Sequence, residues 1–273
     1  MSIIERNSPL NLQYKVCIVT NASSPLGVVI CKTLLKANAL VLGVDDKVRD
    51  QSLNAGLGTH FQFEQVDLHD ADAAEAIVES AKRKFEGLGG GGRVDALVDL
   101  VDEDDGDGKG HDVESFRKLS LATGEVMKEG NGGSIVVVPG DAKGDHGSES
   151  LIELARDLSQ QHVGTVRCNV ITLGGTTDHL PSLSFVQRSA DSPSVVATGF
   201  EDRSEELYHE AQTHMEALMK TERPASDVPA SKQVPPQHYA IANLVLFLAG
   251  GMSEVVIGRR VNLDGAHCAL QHD

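Results

Sequence analysis

Side chains able to do chemistry gather in this sequence where apolar runs stop. Asp99 and Asp102 follow Val94-Asp95-Ala96-Leu97-Val98, and Asp141, Asp145 and His146 follow Gly132-Gly133-Ser134-Ile135-Val136-Val137-Val138. If these runs are parallel strands, the residues after them crowd the carboxyl edge of the sheet, where α/β folds place their ligands. Carboxylates gathered at a partly desolvated cleft raise one another's pKa and attract cations. Such a rim suits a neutral or cationic small molecule, a protonated amine or an iminium, and repels an acyl-CoA. Taken singly, each of these residues also reads as a solvated loop charge on an acidic chain.

A second constellation points to anions. The strand Lys15-Val16-Cys17-Ile18-Val19-Thr20 runs into a tight polar turn, Asn21-Ala22-Ser23-Ser24-Pro25-Leu26-Gly27, and then into a helix ending near Lys36. Unpaired N–H groups and the helix dipole at such a turn face a bound pyrophosphate. Thr20, Asn21, Ser23, Ser24, Leu26 and Gly27 are therefore candidate cofactor-binding residues. The next strand, Ala39 to Val44, ends in Asp45, at the spacing where an acidic side chain meets adenosine ribose hydroxyls and repels a 2′-phosphate.

The elements that must position these residues fit one α/β domain. The chain has 273 residues, 40% of them apolar, enough for a sizeable core. No run is long enough to span a membrane, and the polar N-terminus carries no signal-peptide core, so a cytoplasmic protein is expected. A net charge of −16 speaks against nucleic acid or anionic lipid as a partner. The four cysteines lack a Cys-x-x-Cys pair, the eleven histidines are dispersed and read mostly as surface residues, and the acidic loop from Glu103 to Gly108 lacks the Gly and Glu spacing of a calcium loop. No metal site is expected.

Along the chain, a polar helix is expected after Asp45. A third strand, Phe61 to Val66, leads to Asp67, which reads as the cap of a helix from about Ala71 to Phe85. The glycine run Gly87 to Gly92 precedes a strand and reads as a loop. Further helices are expected at about Val113–Lys128, 151–158 and 237–248, with a strand at 166–171. Between Thr176 and Val234 lies a long insertion. Within it, Leu207, Met215 and Leu218 belong to a one-sided apolar stripe expected to act as a lid.

Thr20 to Gly27 resembles the Thr-Gly-x-x-x-Gly-x-Gly turn of the short-chain dehydrogenase/reductase family. Only the last glycine survives, with Asn21 at the first position and Pro25 at the middle one. Asn tolerates positive φ, whereas Pro removes an N–H where backbone and cofactor approach. The strand at 94–98, the one at 166–171 and the ending Ile257-Gly258-Arg259-Arg260-Val261-Asn262-Leu263-Asp264-Gly265 are also similar to family segments. The resemblance covers residues 15–174 and 236–266. It implies a Rossmann-like doubly wound parallel sheet of about seven strands in order 3-2-1-4-5-6 with one strand added, and a homo-oligomer altered from the usual tetramer. It also implies Asp67 as a second cofactor residue, beside the adenine.

The family's catalysis is not carried over. Its catalytic Ser falls at Gly140, its Tyr-x-x-x-Lys at Gly140 and Gly144, and its helix Asn near Ser120; Tyr14, Tyr208 and Tyr239 all lie far from that segment. The helix that should carry the tyrosine reads as having lost its first turns, leaving Asp141, Lys143, Asp145, His146, Ser148 and Glu149 in a loop. Hydride transfer to a carbonyl needs a positioned proton donor. The favoured expectation is thus a non-redox cyclase or isomerase of secondary metabolism, similar to the fungal alkaloid cyclases derived from this family, including the malbrancheamide-type Diels–Alder enzymes. Here Asp141, Asp145, His146 and Ser120 are the candidate catalytic residues. NAD binding would be weak, and no cofactor is required. The alternatives are an NAD(P)H-dependent reductase of an iminium-like substrate using substitute acids, and a non-catalytic binding protein.

Overall fold

The computed structural model describes residues 8–53, 58–101, 113–139, 145–162, 164–173 and 236–263, with the backbone alone at 145–148, 173 and 236. Seven strands form one sheet: β1 (Val16–Val19), β2 (Leu40–Asp45), β3 (Phe61–Gln65), β4 (Ala96–Val101), β5 (Gly133–Pro139), β6 (Val166–Leu173) and β7 (Arg260–Leu263). Their order is β3-β2-β1-β4-β5-β6-β7 and every pairing is parallel. This is the doubly wound order expected from the sequence. The direction of winding reverses between β1 and β4, the switch point at which such sheets open a crevice.

Five helices among the described residues cover the sheet: α1 (Pro25–Lys36), α2 (Ala73–Phe85), α3 (Val113–Glu129), α4 (Asp145–Gln161) and α5 (Pro236–Ala249). Cys17 and Val19 of β1 face one side with Ile30 and Leu34 of α1 and Val245 of α5. Val16 and Ile18 face the other with Ile77 of α2, Phe116 and Leu119 of α3 and Leu158 of α4. Both faces are covered, which is why β1, β2 and β4 are buried along their whole length.

The amino edge of the sheet is tied by Asp95. Its carboxylate accepts from Lys15 Nζ at 2.8 Å, Val16 N at 2.9 Å and Arg93 Nε at 3.0 Å. The glycine run, read as a loop, begins in the 3₁₀ turn Glu86–Leu88 and continues as irregular turns in which Gly89, Gly91 and Gly92 have φ of 92°, 59° and 67°. A Cβ on Gly89 would lie 2.7 Å from the Tyr14 ring, so the run also seats that tyrosine.

Several sequence expectations are corrected. No α-helix follows Asp45 among the described residues of 46–60, which hold only the 3₁₀ turns Gln51–Leu53 and Gly58–His60. There Asp45 Oδ1 accepts from Lys47 N and Asp50 Oδ1 from Ser52 N, side-chain bonds that compete with a helix. Strand β4 continues to Val101, which brings Asp99 into the sheet. Helix α4 begins at Asp145, so Asp145, His146, Ser148 and Glu149 lie in its first turns instead of a loop, at the end whose dipole favours carboxylates. Asp67 does not cap α2. The residue before that helix is Asp72, and Asp67 Oδ1 instead accepts from His69 N at 2.9 Å.

The chain divides into one unit of Met1–Thr176 with Val234–Asp273 and another of Thr177–Gln233. The second corresponds to the insertion, and the lid with its Leu207, Met215 and Leu218 stripe lies outside the described residues.

Candidate functional site

The turn after β1 is held from below. Thr20, fully buried, donates its N–H to Val98 O at 3.1 Å and its Oγ1–H to Asp99 Oδ1 at 2.7 Å, while Oγ1 accepts from Leu100 N at 2.9 Å. Asp99 is likewise fully buried and so does not stand at a pocket rim; it joins the ends of β1 and β4. Asn21 takes φ of 46° and donates Nδ2–H to Leu100 O at 2.6 Å, keeping the turn that the missing first glycine would make.

Gly27 is needed by packing. A Cβ there would collide with Asn21 O and come within 2.9 Å of Ala22 Cα. Gly43, inside β2, answers a similar demand, since its Cβ would lie 2.9 Å from Ala22 Cβ and 3.2 Å from Phe61 Cζ. A glycine in the middle of an apolar strand is the one sequence signal that marks such a close approach at Gly43.

Most of the N–H groups in the turn have acceptors within the protein. Ala22 N donates to Val44 O at 3.1 Å, Ser23 N to Asp45 Oδ2 at 2.7 Å, Ser24 N to Asn21 O at 3.0 Å and Gly27 N to Ser24 Oγ at 3.0 Å. Ser24 is thus the N-cap of α1, and Pro25 is its first residue. Leu26 packs against the core layer under α1. Ser23 Oγ is buried with no hydrogen-bond partner among the described residues.

Asp45 is only 2% exposed and carries one backbone bond on each oxygen, Ser23 N on Oδ2 and Lys47 N on Oδ1. Burial pushes its carboxyl above the usual range against the pull of those two N–H groups, and the neighbouring Asp46 carboxyl pushes the same way. Asp67 is exposed at the end of β3.

These residues test the fit of the dinucleotide that the family resemblance implies. A pyrophosphate would find the N–H groups of Ala22, Ser23, Ser24 and Gly27 already bonded within the protein and none at Pro25, and a ribose diol would meet a buried carboxylate that carries a backbone bond on each oxygen. The turn as it stands does not fit that group.

The acid–base candidates are spread along the chain. Asp102 and Asp141 lie outside the described residues, and Asp145 and His146 are placed only by backbone, in the first turn of α4. Ser120 sits on α3, fully buried, its Oγ without a partner among the described residues. His162, against the general reading of the histidines as mostly surface residues, is buried just beyond α4 with its ring over Gly124, where a Cβ would stand 2.9 Å from Nε2. Neither of its ring nitrogens has a partner among the described residues. Tyr14 belongs to the amino edge, Tyr239 lies on α5, and Tyr208 is outside the described residues.

Among the described residues no group of three His, Cys, Asp or Glu side chains could hold a metal ion. Cys17, Cys31 and Cys168 are free and buried, and burial raises all three thiols, Cys31 to about 12, which makes them poor nucleophiles. No helix among the described residues is long and apolar enough to cross a membrane.

The sequence matches no protein-family model and no curated protein. The fold, however, is shared with solved dehydrogenases. A hydroxysteroid dehydrogenase from Escherichia coli superposes with a TM-score of 0.61 at 21% identity, over 96% of this chain and 98% of that one. A C-terminal deletion mutant of Thermoplasma acidophilum aldohexose dehydrogenase superposes with a TM-score of 0.58 at 16% identity, over 93% and 96%. At these identities the likeness is one of architecture: this chain has the seven-stranded Rossmann-like fold of those two enzymes.

Proposed function

We propose that this chain uses a dehydrogenase fold for non-redox chemistry, as a cyclase or isomerase of a neutral or cationic small molecule. One observation carries the reading. Of the three glycine positions in the turn, the two that shape the backbone are served, by Asn21 at positive φ and by Gly27 under Asn21 O. The one that lets a backbone approach a pyrophosphate is Pro25. Selection for the fold without selection for the cofactor would leave this pattern.

No tyrosine stands between Gly140 and the strand that follows, so the proton donor of carbonyl reduction is missing too. Holding a reactive substrate in one conformation can by itself lower a barrier substantially. Asp141 and Asp145 would hold its cationic part, with His146 and Ser120 as further polar groups of the site.

Native mass spectrometry of freshly purified protein, followed by incubation with deuterated NADH and a panel of carbonyls and iminium ions, tests this. A bound small organic molecule and no deuterium transfer are expected. Transfer at a turnover rate would establish the second reading, favoured by the architectural likeness to two dehydrogenases: a reductase of an activated substrate with substitute acids. That enzyme would use NAD over NADP, because Asp45 opposes a 2′-phosphate.

A further inference from the structure

Ribose recognition at the end of a second strand needs a carboxylate that presents lone pairs outward to a diol. Asp45 stands at that place, but it is buried and each of its oxygens already holds a backbone N–H. Its Oδ2 accepts from Ser23 N at 2.7 Å and its Oδ1 from Lys47 N at 2.9 Å, charge-assisted bonds to backbone donors on both flanks.

The turn is stitched to β2 by consecutive contacts. Ala22 N bonds Val44 O, Ser23 N bonds the Asp45 side chain, and the Ala22 methyl sits over the bare Cα of Gly43. Phe61 of β3 closes the same spot from the next strand. The turn thereby lies directly on the end of β2, on the side where an adenosine ribose would approach Asp45. Swinging Asp45 outward would leave Ser23 N without its acceptor in a half-buried place, a cost that ribose hydroxyls would have to offset.

We propose that Asp45 is an internal latch of the turn, occupying the position of the adenosine ribose, and that this edge of the sheet is closed to adenosine nucleotides. The small molecule that the protein takes therefore lacks an adenosine moiety. This rests on the non-redox reading only in assuming that there is such a molecule; the latch itself stands on the geometry.

The test is saturation-transfer NMR and calorimetry with adenosine, AMP and NAD on the full chain, wild type and Asp45→Ala, with Asp45→Asn as the milder variant should Asp45→Ala fail to fold. None of the three ligands is expected to bind wild type with Kd below about 1 mM. Each variant should lower the thermal midpoint and gain no nucleotide affinity. Binding of any of the three to wild type below that limit overturns the latch, whatever the variants do, and so does an Asp45→Ala protein as stable as wild type. The two proposals fail separately: NAD that binds without giving up hydride sinks the latch alone, and deuterium transfer sinks the non-redox reading too.

Discussion

Asp95 and Asp45 are both buried carboxylates at strand ends, one at the amino edge of the sheet and one at the carboxyl edge. Asp95 is held by two cations, Lys15 and Arg93, and by Val16 N. Asp45 is held by backbone N–H groups, with a second carboxylate, Asp46, as its neighbour in sequence. At the amino edge the charge is neutralised and the cluster clamps residues about eighty positions apart in sequence. At the carboxyl edge the charge is held by dipoles alone, in a conformation fixed by packing. A family of folds can thus keep one edge as scaffold while the other changes occupant, here by folding its own side chain into the ligand's place.

The comparison is tested most strongly at Asp95. Replacing it by Ala removes two ion pairs, strands Val16 N, and should cost about 3 kcal/mol in denaturant unfolding, without touching the carboxyl edge. A loss under about 1 kcal/mol would mean that the cations, partly exposed as they are, are as well solvated alone, and the amino edge would lose its role as clamp.

Gly43→Ala probes the opposite edge. The new Cβ would stand 2.9 Å from Ala22 Cβ and 3.2 Å from Phe61, so the turn must lift off β2, at about 2 kcal/mol. Hydrogen exchange should quicken at Ser23 and Ala22 while the amides paired near Asp95 keep their protection. Equal loosening at both edges would show that they are one cooperative unit and not two separable ones.

The sheet was legible in the sequence because its strands are apolar runs with turns between them, a local signal. What was not legible depends on partners far away in the chain. Asp99 reads as the end of a strand because it is charged, yet β4 runs on through it because Thr20, 79 residues earlier, supplies a hydroxyl to its carboxylate. The burial of His162 is not marked by its type, since histidines are usually exposed, and the absent side chain at Gly124 makes room for it. The turn was recognised by its residue types, but whether it faces a ligand or closes on itself is set by where Asp45 points. Spacing alone does not encode that rotamer.

The smallest expected effect is the pH dependence of the latch. Burial raises the Asp45 carboxyl above its unfolded value, the N–H bonds from Lys47 and Ser23 oppose that, and Asp46 adds to it. A carboxyl raised on folding takes up a proton as the chain folds. Its contribution to stability is therefore fully present below the unfolded pKa and is lost as pH rises through the folded one. Asp45→Asn removes this dependence, so the substitution should cost most in acid and least near neutrality, measured as the difference between wild-type and variant unfolding free energies from about pH 4 to about pH 7. The opposite slope would mean that the N–H groups stabilise the charged form outright. Asp45 would then behave as a carboxylate stabilised in its charged form, and the distinction between a clamped edge and a self-latched one would have to be drawn on some other ground than charge.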